Sequence, residues 1–170
     1  MSAAAIPIET SQPPLAPEVA AFWDEFLRAG IRSPSATPFE TFYFDDNAES
    51  ANHLGALVLA GVKRATTGLL WSYVFERAPL PQPGDLSIVT DFAGQPLCVI
   101  EMSAVKVVPF AEVDSAFAAV EGEGDGSLAY WRRVHDAFFE RECARIGRTP
   151  DPRMPVVCQH FQVIFRRPET

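Results

Sequence analysis

The sequence predicts an α+β fold in which a small, curved β-barrel of antiparallel or mixed strands is flanked by helices. Apolar residues recur at helical spacing in several segments and alternate with polar residues in others. Turn signals at Pro83-Gly84-Asp85 and Ala93-Gly94 join alternating segments, as antiparallel hairpins require. The 170 residues, 48% of them hydrophobic, fit one ordinary domain with a buried core.

The first half of the chain is predicted to be mainly helical. Residues 1–17 are rich in Ser and Pro and lack periodicity, so we expect a flexible tail before a single domain over residues 18–167. One helical face is formed by Val19, Phe22, Trp23 and Phe26. We then expect a weak strand at Phe39–Phe44, a helix that begins at an Asp46–Glu49 capping box and ends at Gly61, and a short helix at Leu69–Arg77.

The second half is predicted to contain most of the sheet. Alternation and turn residues indicate strands at Leu86–Asp91, Leu97–Val108 and Val156–Phe165. A short helix is expected from Phe110, and Ser127 can cap a longer one.

The charge distribution limits the partners of the protein. The net charge is −8, with −11 in residues 1–129 and +3 in residues 130–170. This balance excludes wrapping of long duplex DNA, because phosphate neutralisation supplies most non-specific affinity. It allows a local basic rim for a nucleotide or a short single strand of nucleic acid, and an arginine-rich solvated helix explains the same charges equally well.

The sequence indicates a cytoplasmic protein without a membrane anchor. No apolar run approaches the roughly 18–20 residues that cross a bilayer. Cys98, Cys143 and Cys158 are odd in number and share no close spacing, which predicts neither a disulfide framework nor a zinc site.

The segment Gly61-Val-Lys63-Arg-Ala-Thr66-Thr67 is the most specific motif of the chain. A glycine after a helix can reverse the chain and direct the next residues toward a cavity, where Lys63 and Thr66 could share one site. Alternatively, Lys63 interacts with helix carbonyls and Thr66 caps the following helix.

Glu101 is the second candidate, because it is a lone acid in an otherwise apolar strand. Such an acid is costly to bury without a partner. Either Glu101 lies on the solvent face of the sheet, or it points inward near Lys63, where burial and the opposite charge shift the pKa values of both groups.

Acidic and aromatic residues provide further candidates. Three carboxylates in a glycine-rich loop, at Glu121, Glu123 and Asp125, could ligate a divalent cation, although a solvated turn is the favoured interpretation and no cofactor is expected. Aromatic and basic side chains on the last helix suit single-stranded nucleic acid, but a core position is favoured for Trp131 and His135. Trp71 and Tyr73 follow the motif and are better placed as cavity walls.

The motif Gly61-Val-Lys63-Arg-Ala-Thr66 resembles the Gly-x-Lys-x-x-Thr signature of the ASCH domain, a small β-barrel related to the PUA RNA-binding fold. The similarity to the longer bacterial ASCH proteins extends from Phe22 to Phe165. Further matching segments are Leu80–Asp85, Cys98–Glu101, Pro109-Phe110, Glu121–Asp125, Tyr130–Arg132 and Pro155–Cys158.

The resemblance implies an RNA- or nucleoside-directed hydrolase. One ASCH branch removes the acetyl group of N4-acetylcytidine, and carrying over its catalytic set gives Lys63 as the base, Thr66 as the nucleophile and Glu101 as the proton donor. Another ASCH protein is associated with cleavage of single-stranded RNA. The alternative is a non-catalytic RNA- or nucleotide-binding module of the PUA-like type.

Around this set we expect a substrate-binding wall, with Arg132 or Arg133 on its rim. Its members are Gly61, Arg64, Thr67, Trp71, Tyr73, Arg132 and Arg133. Replacing Lys63 by Ala or Glu101 by Gln is predicted to abolish turnover and to leave the melting temperature nearly unchanged.

Overall fold

The computed structural model describes residues 14–168, which form five helices and five strands. The predicted tail therefore lies almost entirely outside the described residues. The helices are α1 (Pro17–Arg28), α2 (Ala48–Leu59), α3 (Leu70–Glu76), α4 (Ser115–Glu121) and α5 (Leu128–Arg145). The strands are β1 (Glu40–Phe42), β2 (Ala65–Leu69), β3 (Leu86–Thr90), β4 (Pro96–Pro109) and β5 (Pro155–Arg166).

The strands form one mixed sheet, which confirms the predicted α+β class. Their order is β1-β3-β4-β5-β2, and the sheet curves as a half-barrel. Strand β1 pairs in parallel with β3, and the other three pairings are antiparallel. Strands β4 and β5 form the longest pairing of the sheet, which runs from Cys98↔Arg166 to Pro109↔Pro155.

Helices pack on both faces of the sheet, because a strand sends alternate side chains to opposite faces. The buried side chains form three separate clusters. The face that contains Cys98, Ile100 and Met102 of β4 packs on α2 and on Phe44. Val99, between these positions, packs with α1 instead. Helices α4 and α5 bury a third cluster around Trp131 and Phe139 against β2 and the first half of β5.

Three local predictions are wrong in detail. The Thr66-Thr67 segment forms strand β2, paired with β5, and therefore does not cap a helix. Helix α2 is capped by Asn47, whose side chain accepts a hydrogen bond from the Ser50 amide, and not by Asp46. The segment after Pro109 forms a single 3-10 turn before α4 begins behind its Asp114 cap.

Within residues 14–168, none of the helices is long and apolar enough to cross a membrane.

Candidate functional site

A left-handed turn after α2 directs Lys63 into the protein. Gly61 adopts φ +73°, a conformation that L side chains rarely adopt. The amides of Val62 and Lys63 both donate to the Leu57 carbonyl, so the turn closes tightly on the end of the helix. The Lys63 side chain is consequently buried, with 1% of the residue exposed. The predicted role of Gly61 in reversing the chain therefore agrees with the geometry.

The Lys63 ammonium meets two carboxylates of the glycine-rich loop. Its Nζ donates to Glu123 Oε1 at 2.6 Å and to Glu121 Oε1 at 3.2 Å. It also lies 5.1 Å from the centre of the Phe44 ring, which adds a cation–π contact. These ion pairs hold the loop and the motif together, although the two segments are about 60 residues apart.

Glu121 is fully enclosed and bound on both oxygens. Its Oε2 accepts hydrogen bonds from Thr67 Oγ1 at 2.9 Å and from Trp131 Nε1 at 2.5 Å. Its Oε1 also faces His135 Nε2 at 3.3 Å. Burial acts to raise the pKa of Glu121, but Lys63, His135 and the hydrogen bonds outweigh it and hold the pKa well below the ordinary value. We call Lys63, Thr67, Glu121, Glu123, Trp131 and His135 the Lys63 cluster.

A glycine between the two glutamates allows the loop to reach Lys63. Gly122 adopts φ +68°, and a Cβ atom there would lie 2.3 Å from the Val62 carbonyl oxygen. The Arg64 amide donates to the Val120 carbonyl at 3.0 Å, so the end of α4 is joined to the motif by backbone as well. Only a residue without a side chain permits this approach, which explains the position of Gly122 between Glu121 and Glu123.

His135 completes the cluster as a charged imidazole. Its Nδ1 lies 2.9 Å from the Trp131 carbonyl, and its ring stacks on that indole at 4.1 Å. Because both ring nitrogens face acceptors, the geometry favours protonation of both. Burial acts to lower the pKa of His135, but the charge of Glu121 and its hydrogen bond, together with Glu123, raise it above the ordinary value.

This geometry predicts a pH-dependent stability that requires His135. The folded-state pKa of His135 is raised from 6.5. The stability that its protonated ring contributes is therefore fully present below about pH 6.5 and is lost as the pH rises through the folded-state pKa. In urea unfolding between pH 5 and 9, the stability advantage of the wild type over His135→Gln should therefore shrink with rising pH. The exposed His53 serves as the control, because His53→Gln should keep the wild-type profile. A constant difference between wild type and His135→Gln would contradict the assignment.

The Lys63 cluster borders a small cavity that adjoins a larger cleft. The cavity has a volume of about 80 Å³ and is lined by Thr66, Glu121, Glu123 and His135 among others. The cleft has a volume of about 530 Å³ and runs between β1, β2, α3 and α5. Thr67 and Phe138 line both spaces, so the two are neighbours. This pair of spaces is the candidate functional site.

The structure places Glu101 away from the Lys63 cluster. Ile100 and Met102, on either side of it in β4, pack in the cluster that contains Phe44, whose ring contacts Lys63. Strand alternation therefore turns Glu101 to the opposite face of the sheet. There its carboxylate binds Arg32 at 2.7 Å and accepts a hydrogen bond from Gln162, which hold its pKa below the ordinary value. The expected Lys63–Glu101 contact is replaced by Lys63–Glu121 and Lys63–Glu123.

Of the other residues predicted to bind substrate, the structure brings only some to the site. Thr67 and Tyr73 line the cleft. Trp71 packs against the core and carries Arg148 over its ring, outside both spaces. The Arg132 guanidinium donates to backbone carbonyls at Phe110, Ala111 and Val113. Gly61, Arg64 and Arg133 also lie outside the two spaces.

All three acids of the glycine-rich loop make contacts within the fold. Glu121 and Glu123 bind Lys63, and Asp125 accepts a hydrogen bond from the Ser127 amide. The part of the chain from 14 to 168 contains no group of three or more His, Cys, Asp or Glu side chains placed to hold a metal ion. The loop therefore acts as an ion-pair partner of Lys63 in this structure.

Two residues of the site were missed or undervalued by the sequence reasoning. Glu40 lies in the wall of the cleft. It is a lone acid in the aromatic segment Phe39–Phe44, so the argument applied to Glu101 would have found it. His135 was expected to be a core histidine, and its contact with Glu121 has no local sequence signal, because α4 and α5 bring the two residues together.

Comparison with known proteins identifies the family. The sequence profile of the ASCH domain matches residues 40–165. The crystal structure of an ASCH domain from Lactobacillus crispatus JV V101 is similar, with 35% identity, a TM-score of 0.82, and coverage of 88% of this chain and 95% of that one. Protein EF3133 from Enterococcus faecalis V583, described as family DUF984, gives 35% identity, a TM-score of 0.78, and coverage of 86% and 88%. Curated proteins yield no significant match. The chain therefore belongs to the ASCH domain family, and its half-barrel sheet is the PUA-like RNA-binding fold of that family.

Proposed function

We propose that this protein is a hydrolase that removes a small acyl group from an amino group of a nucleoside. The observation that carries the proposal is the position of Glu123, a partly exposed carboxylate that pairs with the buried Lys63 ammonium and lines a small cavity together with Thr66. The cavity has room for an acyl group, and the larger adjoining cleft has room for the nucleoside.

Thr66 and Glu123 carry out the reaction in the cavity, and Lys63 positions Glu123 from behind the cavity wall. Thr66 Oγ attacks the acyl carbon and passes its proton to Glu123, which its ion pair with Lys63 holds in place. The C–N bond then breaks, and the leaving nitrogen takes the proton from Glu123. Water next cleaves the Thr66 ester and returns a proton to Thr66 through Glu123. This differs from the set implied by the resemblance, because Glu123 takes the proton transfers assigned there to Lys63 and Glu101.

The charge of the site favours a nucleoside over an RNA strand. The charged side chains that line the cleft are Glu40, Glu76 and Glu142, all acidic. Arg145 lies outside this lining and pairs with both Glu76 and Glu142, so a single cation faces two carboxylates and the wall keeps an excess of negative charge. A phosphodiester backbone would be repelled by such a wall, whereas an uncharged nucleoside would not.

A substrate screen tests this proposal. The purified protein is incubated with N-acylated nucleosides and with a labelled single-stranded RNA. Each substrate is tested with added divalent cations, without them, and with a chelator. We expect release of the acyl group at a rate that the chelator does not change, and an intact RNA. Cleavage of the RNA without any acyl release would overturn the proposal.

A non-catalytic binding module of the PUA-like type is the second candidate. The observation in its favour is that Lys63 already holds two carboxylates, an arrangement that a purely structural lysine would also show. This candidate predicts nucleoside or RNA binding without turnover of any acylated substrate in the same screen.

A further inference from the structure

The Glu40 carboxyl is an unpaired acid in the wall of the cleft. It belongs to the edge strand β1 and is only partly exposed. Glu101 and Glu121 are bound by cations and hydrogen-bond donors, but the structure of residues 14–168 shows neither a hydrogen bond nor an ion pair to the Glu40 carboxyl. Ser87 stands opposite Glu40 in the β1–β3 register, and its buried hydroxyl also has no hydrogen-bond partner within those residues. The Glu40 carboxyl therefore offers the cleft a hydrogen-bonding group that the fold does not use.

The rest of the cleft combines flat apolar walls with a few polar groups, which is the usual composition of a small-molecule site. Aromatic rings of Phe39, Tyr43 and Phe138 line it. The Tyr73 hydroxyl accepts a hydrogen bond from Gln159 Nε2 at 3.1 Å, which fixes its position in the same wall. Tyr43 is 44% exposed at the opening, where a ring can stack on a planar ligand.

The electrostatic surroundings favour the neutral form of Glu40. Burial, and then the charge of Asp85 before β3, raise its pKa to about 7. The titratable groups that line the cleft from the helices are Tyr73 and Glu76 of α3 and Glu142 of α5. Tyr73 is neutral, since burial and the nearby acids raise its pKa to about 12. Near neutral pH, a large fraction of Glu40 is therefore a carboxylic acid with one O–H donor and one carbonyl acceptor.

We propose that Glu40 binds the edge of a nucleobase on which a ring-nitrogen acceptor stands beside an exocyclic amino group, the edge shared by cytosine and adenine. The carboxyl O–H donates to the ring nitrogen, and the carboxyl C=O accepts from the amino group. Uracil presents a ring N–H between two carbonyls, so it cannot make this pair. The proposal rests on the proposed function for the nucleoside nature of the ligand, and it adds the class of base and the residue that recognises it.

Calorimetric titration with cytidine, adenosine and uridine tests the proposal without any chemical step. For cytidine and adenosine, wild-type affinity should fall about tenfold between pH 6 and pH 8, because the protonated fraction of an acid with a pKa of about 7 falls by that factor. Glu40→Gln presents a donor and an acceptor at every pH, so its affinity should be the same at both values. Glu40→Ala should bind about tenfold more weakly than wild type at pH 6, and uridine should bind weakly to all three proteins.

The possible results separate this inference from the proposed function. Equal affinity for uridine and cytidine, a pH dependence that persists in Glu40→Gln, or no binding of any nucleoside would overturn the role of Glu40. If the nucleosides bind as expected but no acylated nucleoside is hydrolysed, the inference stands and the proposed activity is wrong. If acyl groups are released at the wild-type rate by Glu40→Ala, without preference for the base, the activity stands and the inference is wrong.

Discussion

Replacing Glu123 by Gln is expected to lower the kcat for an N-acylated nucleoside by a factor of roughly 10² to 10⁴, the usual contribution of a general base. Gln keeps the size of the side chain and can still accept a hydrogen bond from Lys63, but it cannot take a proton from Thr66. The side chain of Glu123 is 14% exposed, in contrast to the enclosed Glu121, so its replacement should leave the fold intact. Steady-state kinetics with thermal unfolding of the same sample measures both effects.

Glu101→Gln is the matched comparison, because the family resemblance assigns the catalytic acid to Glu101. The structure turns this side chain to the other face of the sheet, where it pairs with Arg32. We therefore expect Glu101→Gln to retain turnover close to wild type. Stability should change by about 1 kcal/mol or less, since both partners are partly exposed. The opposite outcome, with turnover lost in Glu101→Gln and kept in Glu123→Gln, would return the catalytic role to Glu101.

Local signals in the sequence were sufficient to find the lysine side of the site. A helix that ends in glycine requires a left-handed residue at that point, and the next side chains must then leave the helix axis, as Lys63 does. Ser127 was identified as the cap of α5 for a similarly local reason, since its hydroxyl accepts from the Tyr130 amide. Such features depend on a few neighbouring residues, so a single sequence is enough to recognise them.

The acid that pairs with Lys63 could not be chosen in this way. Glu101 and Glu121 are both acids with apolar neighbours in sequence, and only the packing of β4 and α4 decides which of them meets the lysine. Strand β2 was overlooked because it has five residues and its pairing partner, β5, lies about 90 residues later. Glu121 and Glu123 reach Lys63 through contacts between distant segments of the chain. No local sequence pattern indicates such contacts.

Replacing Lys63 by Met is expected to lower the free energy of unfolding by about 3 kcal/mol. The sequence predicted a nearly unchanged melting temperature for Lys63→Ala, but the burial of Lys63 now argues against that expectation. Without the ammonium, Glu121 stays enclosed with a charge that His135 alone must balance. This residual cation places the expected loss at the lower end of the range for a broken buried ion pair. Chemical denaturation at neutral pH measures the loss directly.

The double variant Lys63→Met with Glu121→Gln separates this charge effect from simple loss of packing. The amide introduced by Glu121→Gln carries no charge, so the desolvation penalty that the single variant leaves uncompensated disappears. We therefore expect the double variant to be more stable than Lys63→Met, with a coupling free energy of about 1 kcal/mol or more. If the two substitutions add without coupling, the Lys63–Glu121 pair does not stabilise the fold. The same comparison matters for catalysis, because lost turnover in Lys63→Met reports the role of the ammonium only at temperatures where the variant is still folded.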